Sequence, residues 1–344
     1  MSSRQSTPDQ LLDAAVAGDR VSLARLLSIV ERGGEPSSET ARLVYATAPP
    51  YTVGVTGAPG SGKSTLTNQL VAVARGGWPG HGGPHGAPPE PETGPSSATD
   101  AEGVAEVGVL AIDPSSPFSG GAILGDRVRM QEHATDPSVF IRSMATRGHL
   151  GGLALAVPEA VRVLGAAGFP LVIVETVGVG QMEVEVASAA DTTVVVVTPG
   201  WGDAMQANKA GLLEIADLFV VNKADRPGVH EARRDLQQML DLSAPSDWRP
   251  PVLSTVASTG EGVEELWAAI ARHRSHLQSS GALERRREAR LSQELRRVLT
   301  ARVLADVRAL SAGESFEDAV RAISEGKLDP YRAAEHLLAA RAGG

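Results

Sequence analysis

The chain has 344 residues, of which 42% are hydrophobic and 21% charged, and its formal net charge is −9. The acidic balance argues against nucleic acid as the main partner, because phosphate backbones are bound by basic surfaces. The absence of cysteine excludes disulfides, cysteine-ligated zinc and thiolate catalysis. No apolar stretch approaches the roughly 20 residues of a membrane helix, and the N-terminus lacks a signal-peptide core. We therefore expect a cytoplasmic globular protein without a membrane partner.

The first segment is predicted to be helical. Residues 9–30 carry leucine and valine at helical spacing, and a Gly-Asp pair divides them into two helices. Gly33-Gly34 and Pro36 are expected to end the second helix. We assign residues 1–48 to an N-terminal helical extension that packs on the next domain.

Residues 51–65 read YTVGVTGAPGSGKST, which is a β-branched apolar run, a glycine-rich loop and a helix start. They match the G-x-x-x-x-G-K-[ST] pattern with both required flanks, which disfavours a turn that binds nothing. Such glycines let backbone N–H groups turn onto a phosphate, and the helix dipole adds positive potential. Lys63 is expected to reach the β- and γ-phosphates, and the Ser64 hydroxyl to ligate Mg²⁺. The predicted nucleotide-binding residues here are Gly57, Ala58, Pro59, Gly60, Ser61, Gly62, Lys63, Ser64 and Thr65.

The next segment has an unusual composition. Glycine and proline make up half of residues 76–103, a proportion typical of disorder. His81 and His85 offer a weak metal site as the alternative interpretation, disfavoured because no further ligand lies nearby. We interpret residues 76–103 as a disordered insertion.

Acidic residues follow two apolar strands, where parallel strands form a ligand crevice. The strand at 107–112 ends at Asp113, and a long loop leads from it to Asp126. A second, continuously apolar strand ends in Glu175, and Gly178 follows three residues later. This E-x-x-G resembles the D-x-x-G of GTPases, whose carboxylate meets Mg²⁺ through water and whose glycine N–H meets the γ-phosphate. Helix capping is the alternative role for Asp113 and Asp126.

The strand at 192–197 opens into a polar loop and a helix start. Asp203, Gln206 and Lys209 are candidates for contacts that depend on the nucleotide. An ordinary helix capped by Asp203 is the alternative.

The strand at 218–221 ends in N-K-x-D, the specificity element of GTPases. The Asp225 carboxylate can accept hydrogen bonds from guanine N1–H and the exocyclic amine, a donor pair that adenine lacks. Lys223 is expected to lie across the base, Asn222 to brace the loop and the backbone N–H of Ala257 to meet guanine O6. The predicted ligand is GTP or GDP.

Residues 281–344 shift to charged helix. An apolar stripe at helical spacing runs along this segment, and the arginine run 285–287 is expected to be a solvated face. The stripe fits a dimer arm or packing onto its own domain, and both remain open. Residues 49–280 form the predicted nucleotide domain.

The chain resembles the MeaB/ArgK-type GTPases, chaperones associated with methylmalonyl-CoA mutase, of the SIMIBI class. The motifs that carry the resemblance are GAPGSGKST, DPSSPFSGGAILGDRVRM, ETVGVGQMEVEV, PGWGDAMQANKAGLLEIADLFVVNKAD and DPYRAAEHLL. Glutamate in the usual aspartate place of ETVG is itself a mark of this group. Departures are the insertion, Val256 for serine and Ala204 where an acid is commoner.

The resemblance implies an α/β fold: a doubly wound, mostly parallel P-loop NTPase sheet with an N-terminal helical extension and a C-terminal helical dimerisation arm. It implies a homodimer that hydrolyses GTP slowly with Mg²⁺, gates adenosylcobalamin loading onto an acyl-CoA mutase, and protects or reactivates that mutase. Lys63 and Ser64 would hold phosphate and metal; Asp113, Asp126 and Glu175 would surround Mg²⁺ and the attacking water. Residues 200–209 would couple the nucleotide to the partner. The alternatives are a nickel-type metallochaperone GTPase, a kinase, and a guanine-nucleotide-binding module without hydrolysis.

Overall fold

The computed structural model describes most of the chain. The described residues are 6–77, 106–114, 133, 135–146, 152–176, 188–200, 209–243 and 247–342. The chain divides into two compact units, Met1–Arg290 and Leu291–Gly344.

A seven-stranded sheet forms the centre of the first unit, in the order β3-β2-β4-β1-β5-β6-β7. All of its described pairings are parallel. The strands are β1 (Tyr51–Gly57), β2 (Val107–Pro114), β3 (Val139–Thr146), β4 (Leu171–Thr176), β5 (Thr192–Val197), β6 (Leu218–Asn222) and β7 (Val252–Thr255). Strands β1, β4, β5 and β6 are buried along their whole length, and for β4 this confirms the prediction from its apolar run.

Helices of the first unit connect these strands and cover the sheet, and further helices form the second unit. They are α1 (Pro8–Val16), α2 (Arg20–Arg32), α3 (Glu35–Val44), α4 (Lys63–Ala74), α5 (Gly152–Ala166), α6 (Lys209–Ile215), α7 (Val229–Asp241), α8 (Val263–Ser279), α9 (Ala282–Ser311), α10 (Glu314–Ser324) and α11 (Pro330–Ala342).

Alternating side chains of the strands enter two different cores. In β4, Ile173 joins a core with α4 and α8, whereas Val172 and Val174 join a second core with α1, α2, α3 and α5. This alternation follows from the two-residue period of a strand. Because helices cover both faces of a parallel sheet, the predicted doubly wound α/β architecture is confirmed.

The N-terminal layer has a helix that the sequence analysis did not predict. Gly33 and Gly34 adopt positive φ and end α2, as expected, but the chain at once begins α3. Pro36 lies in the first turn of α3, where its missing N–H costs nothing. A proline read as the end of one helix therefore marks the start of another.

The beginning of α9 is bound to the sheet, and the prediction that the arginine run is a solvated face is wrong for Arg287, which is partly buried, whereas Arg286 is exposed but paired with an acid. Arg286 donates to the Asp217 carboxylate at 2.9 Å and Arg287 to the Asp191 carboxylate at 2.7 Å. Arg285 is exposed and donates to a backbone carbonyl. An arginine of a charged helix can therefore be partly buried when an acidic residue faces it.

The second unit, residues 291–344, contains the rest of α9 with α10 and α11. The predicted apolar stripe of α9 is exposed within the chain; Leu295, Leu299 and Val303 are 56–60% exposed. Among the described residues, we find no helix with both the length and the hydropathy to cross a bilayer.

Candidate nucleotide-binding site

The glycine-rich loop lies between the end of β1 at Gly57 and the start of α4 at Lys63. Gly57 has a φ of +139°, and a Cβ there would lie 2.0 Å from the carbonyl oxygen of Val196. Gly62 has a φ of +88°, and its Cβ would lie 2.4 Å from the Asn222 amide nitrogen. Only glycine fits at these two positions, so the loop can lie closely against β5 and the end of β6.

Lys63 points into its own loop. Its side chain is buried, and Nζ donates to the carbonyl oxygens of Gly57 at 2.8 Å and Ala58 at 2.9 Å. The ammonium group is therefore held where α4 begins and where the helix dipole is positive. A phosphate entering the loop meets this cation and the first amides of α4 together.

A direct hydrogen bond joins Ser64 and Glu175. The Ser64 hydroxyl donates to Glu175 Oε1 at 2.5 Å, and both residues are buried. Glu175 is near the carboxyl end of β4, paired with Val55 of β1 and Ala111 of β2. A hydroxyl and a carboxylate are hard oxygen donors of the kind Mg²⁺ prefers, so this donor set fits the ion.

Asp113 lies on the neighbouring strand. Ala111 of β2 is in register with Glu175, which places Asp113 two residues further toward the carboxyl edge, opposite Ala145 of β3. The register thus brings the backbones of Asp113 and Glu175 to the same edge. Asp126 and Gly178 lie outside the described residues.

A buried hydroxyl pair also joins the strands here. Thr176 Oγ1 donates to Thr56 Oγ1 at 3.0 Å, beneath the loop. The sequence analysis did not select these residues. The signal that could have identified them is a threonine near the carboxyl end of each of two buried strands.

Asn222 connects three segments of the site. Its Nδ2 donates to the carbonyl of Ser61 at 2.8 Å, while its Oδ1 accepts from Ala257 N and Thr255 Oγ1, both at 3.1 Å. The side chain is buried with its donor and acceptor both engaged. It ties the glycine-rich loop at residues 57–65, called the phosphate loop below, to the end of β6 and to the loop after β7.

Lys223 and Asp225 occupy the turn after β6. Lys223 adopts a positive φ of 58°, and its Nζ donates to the carbonyl of Gly60 at 2.6 Å. The turn is fixed to β7 by a bond from Ala224 N to Thr255 O at 3.0 Å. Asp225 is exposed.

The remaining predicted residues are placed as follows. Thr65 is exposed at the first turn of α4, and Lys209 begins α6. The backbone N–H of Ala257, expected to meet guanine O6, donates to Asn222 in this structure. Asp203 and Gln206 lie outside the described residues, as do His81 and His85.

Comparisons with known proteins give a consistent result. A family model described as methylmalonyl-CoA mutase-associated GTPase MeaB matches residues 98–312. A putative GTPase of Pyrococcus abyssi is 45% identical, over 98% of this chain and 97% of its own. GTPase ArgK of Escherichia coli is 35% identical, over 87% of this chain and 85% of its own.

Two further matches extend the comparison. The mitochondrial methylmalonic aciduria type A homolog of Mus musculus is 31% identical, over 96% of this chain and 79% of its own. A solved structure of a LAO/AO transport system kinase is 26% identical, covers 97% of both chains and has a TM-score of 0.64. The fold of that structure extends over almost the whole of the present chain.

Proposed function

The chain belongs to the MeaB family of P-loop GTPases, and from this premise we propose that it is a Mg²⁺-dependent GTPase that serves as chaperone to an adenosylcobalamin-dependent acyl-CoA mutase. It would gate cofactor loading and protect or reactivate the mutase. The catalytic part of the proposal is supported by two hydrogen bonds, Ser64 to Glu175 and Asn222 to Ser61, which join the glycine-rich loop and the start of α4 to β4 and β6.

Phosphate binding rests on the loop from Gly57 to Thr65. Backbone amides of this loop would bind the β-phosphate, and Lys63 would exchange the carbonyls of Gly57 and Ala58 for phosphate oxygens. The exchange favours the bound state because an ammonium–phosphate hydrogen bond is stronger than one to a neutral carbonyl.

The metal ligands would be the Ser64 hydroxyl directly, with Asp113, Asp126 and Glu175 around the ion and its waters. When bound, Mg²⁺ neutralises charge on the β- and γ-phosphate oxygens and fixes their orientation. Glu175 is suited to this role because its buried carboxylate is already bonded to the Ser64 hydroxyl. Gly178 would offer its N–H to the γ-phosphate.

Base selection would rest on Asp225, Lys223 and Asn222, with Ala257 behind them. The Asp225 carboxylate accepts from guanine N1–H and the exocyclic amine, and against adenine it stays unpaired. That difference is worth about 1–3 kcal/mol. The bond from Lys223 to Gly60 supports this arrangement, since it holds the lysine stem beside the phosphate loop.

The assignment of a mutase partner rests on the family description and on the mouse relative's name. Asp203, Gln206 and Lys209 would form the segment that couples nucleotide to partner. Residues 1–48 and 281–344 would act as helical additions to a nucleotide domain at 49–280. The exposed stripe of α9 supports a homodimer, in which a second copy of the chain would cover it.

The test is GTP turnover by the full chain, with ATP as control, alone and with a purified adenosylcobalamin-dependent acyl-CoA mutase. We expect slow GTP-specific hydrolysis that rises when the mutase is added and is lost in Lys63→Ala. Arg42→Ala, which removes an exposed ion pair with Glu35, is the matched control and should behave as wild type. Hydrolysis that no mutase changes would leave the GTPase and overturn the partner.

A further inference from the structure

A second polar cluster lies at the amino end of the sheet, opposite the nucleotide site. Asp191 and Asp217 directly precede β5 and β6 and are 1% and 7% exposed. Three arginines at the start of α9 point at them. We call these five residues the latch: Asp191, Asp217, Arg286, Arg287 and Arg290.

The latch contacts are charge-assisted and mostly two-pronged. Arg286 donates to both carboxylate oxygens of Asp217, at 2.9 and 3.2 Å. Arg287 donates to both oxygens of Asp191, at 2.7 and 3.2 Å, and Arg290 donates to the same carboxylate. Paired bonds of this kind fix direction as well as distance.

The two acids are also tied to the strands. Asp191 accepts from the backbone N–H of Thr52 at 3.1 Å, and Asp217 accepts from that of Thr193 at 2.9 Å. Burial by itself raises the pKa of Asp191, but its hydrogen bonds and charge interactions with Arg287 and Arg290 outweigh this and keep the pKa below its usual range. The carboxylate therefore stays charged at neutral pH, and α9 is held to the sheet by ions.

Further side chains lie around the same cluster. His273 of α8 is fully buried, with Nε2 3.3 Å from Asp217 Oδ1 and Nδ1 2.8 Å from Thr192 Oγ1. Trp248 packs against the His273 ring at 4.7 Å between centroids. The guanidinium of Arg274 lies 5.3 Å from the centre of the Tyr51 ring. The latch is thus enclosed by the sheet, by α8 and by α9.

One buried strand joins the latch to the nucleotide site. Strand β6 has five residues, all buried, and spans about 17 Å. Asp217 precedes its first residue, and Asn222, which bonds Ser61 of the phosphate loop, is its last. Because close-packed interiors deform little, a shift at one end of such a strand is felt at the other.

We propose that the latch couples the nucleotide site to the start of α9 through β6. The proposal rests on the nucleotide binding proposed above. Nucleotide entry would draw Lys63 away from the loop carbonyls that it now contacts and so move the loop that Asn222 holds. Movement of Asn222 would reach Asp217 along β6 and change how firmly Arg286 is held, and α9 continues past the latch to Ser311.

The experiment is hydrogen exchange by mass spectrometry on the full chain, at saturating GDP and at a saturating non-hydrolysable GTP analogue with Mg²⁺. In wild type, we expect exchange in peptides covering 282–296 to differ between the two states by about fivefold or more, the lower end of typical coupling. In Asp217→Asn, this difference should disappear although both nucleotides still bind. Asp241→Asn, which breaks an exposed pair with Arg249, is the matched control and should keep it.

Two results would overturn the proposal: no nucleotide-dependent difference at 282–296 in wild type, or a difference that persists in Asp217→Asn. Should Asp217→Asn fail to fold, Arg286→Gln is read in the same way, since the Arg286 side chain is 42% exposed and its loss is tolerated more easily. Failure of wild type to bind guanine nucleotides is a separate outcome, which would overturn the proposed function itself.

Discussion

The two ends of one parallel sheet carry polar clusters built in different ways. At the carboxyl end, Lys63 and Lys223 donate to backbone carbonyls of the phosphate loop. At the amino end, Arg287 and Arg290 meet the buried carboxylate of Asp191. Lys63 can exchange its neutral carbonyl partners for phosphate oxygens and form stronger hydrogen bonds, whereas an arginine on a carboxylate already has a charged partner. The comparison teaches that one end of the sheet can change partners and that the other keeps them.

The largest expected effect comes from removing the ammonium group of Lys63. Lys63→Ala should lower the rate of GTP hydrolysis by about 10²–10³-fold, because the charge that meets the γ-phosphate is lost. Single-turnover hydrolysis with Mg²⁺ measures this effect, and the thermal midpoint of unfolding serves as the control for folding. A variant that hydrolyses GTP at the wild-type rate would show that Lys63 does not act on the phosphate.

The second effect is on the affinity for the guanine base. Asp225→Asn should weaken GDP binding by about tenfold or more, since the amide cannot accept from both guanine donors. The variant should prefer xanthosine diphosphate to GDP, because the C2 carbonyl of xanthine can accept from the new amide. Titration of both nucleotides, measured by calorimetry, tests the exchange of preference. Glu231→Gln, at an exposed acid of the next helix, is the matched control and should leave GDP binding unchanged.

Substitutions in the latch should lower the stability of the fold. Asp191→Asn should lower the free energy of unfolding by about 3–5 kcal/mol, because two partly buried arginines lose their carboxylate. Asp217→Asn should cost less, because the side chain of Arg286 is 42% exposed and can regain water. Urea unfolding of both variants measures which of them loses more stability. Equal costs would mean that burial of the arginines does not decide the energy.

The same pair gives a pH dependence. Burial raises the pKa of Asp217, but its interactions with His273 and Arg286 more than offset this, so both latch acids have a native pKa below the usual 3.8. Their contribution to stability is therefore complete above about pH 4 and is lost as the pH falls through the native pKa. The stability gap between wild type and Asp191→Asn should be constant from pH 7 to 5 and shrink below pH 4. A gap that widens on acidification would contradict the sign of the shift.

The last prediction compares two glycines of the phosphate loop, and the smallest effect is expected at Gly60. Gly57→Ala should disrupt the site, because its Cβ would meet the Val196 carbonyl at 2.0 Å. Gly60→Ala has open space around its Cβ and bears only the strain of a positive φ, about 1–2 kcal/mol. Nucleotide affinity should therefore fall much further in Gly57→Ala than in Gly60→Ala. Similar losses would point to backbone strain alone.

The carboxyl end of the sheet was predictable because its chemistry is local in sequence. The loop at 57–65 and the N-K-x-D turn are short runs whose flanking apolar strands fix their place. The bond from Asn222 to Ser61 spans 161 positions, but each partner belongs to a recognisable motif.

The amino end could not be predicted in the same way. Arg287 and Asp191 are 96 positions apart, and neither belongs to a motif. An arginine run has the composition of a solvated face, and only the facing carboxylates decide otherwise. The third N-terminal helix was missed for a related reason: Pro36 suits the end of one helix and the first turn of another, and the packing of α3 on α5 decides between them.

The most direct test of the account is steady-state turnover of GTP and ATP by the full chain with Mg²⁺ and no partner. We predict slow release of inorganic phosphate from GTP, at least about tenfold faster than from ATP, because adenine leaves the Asp225 carboxylate unpaired. Equal turnover of the two nucleotides, or a preference for ATP, would contradict the assignment of Asp225 and with it the guanine site.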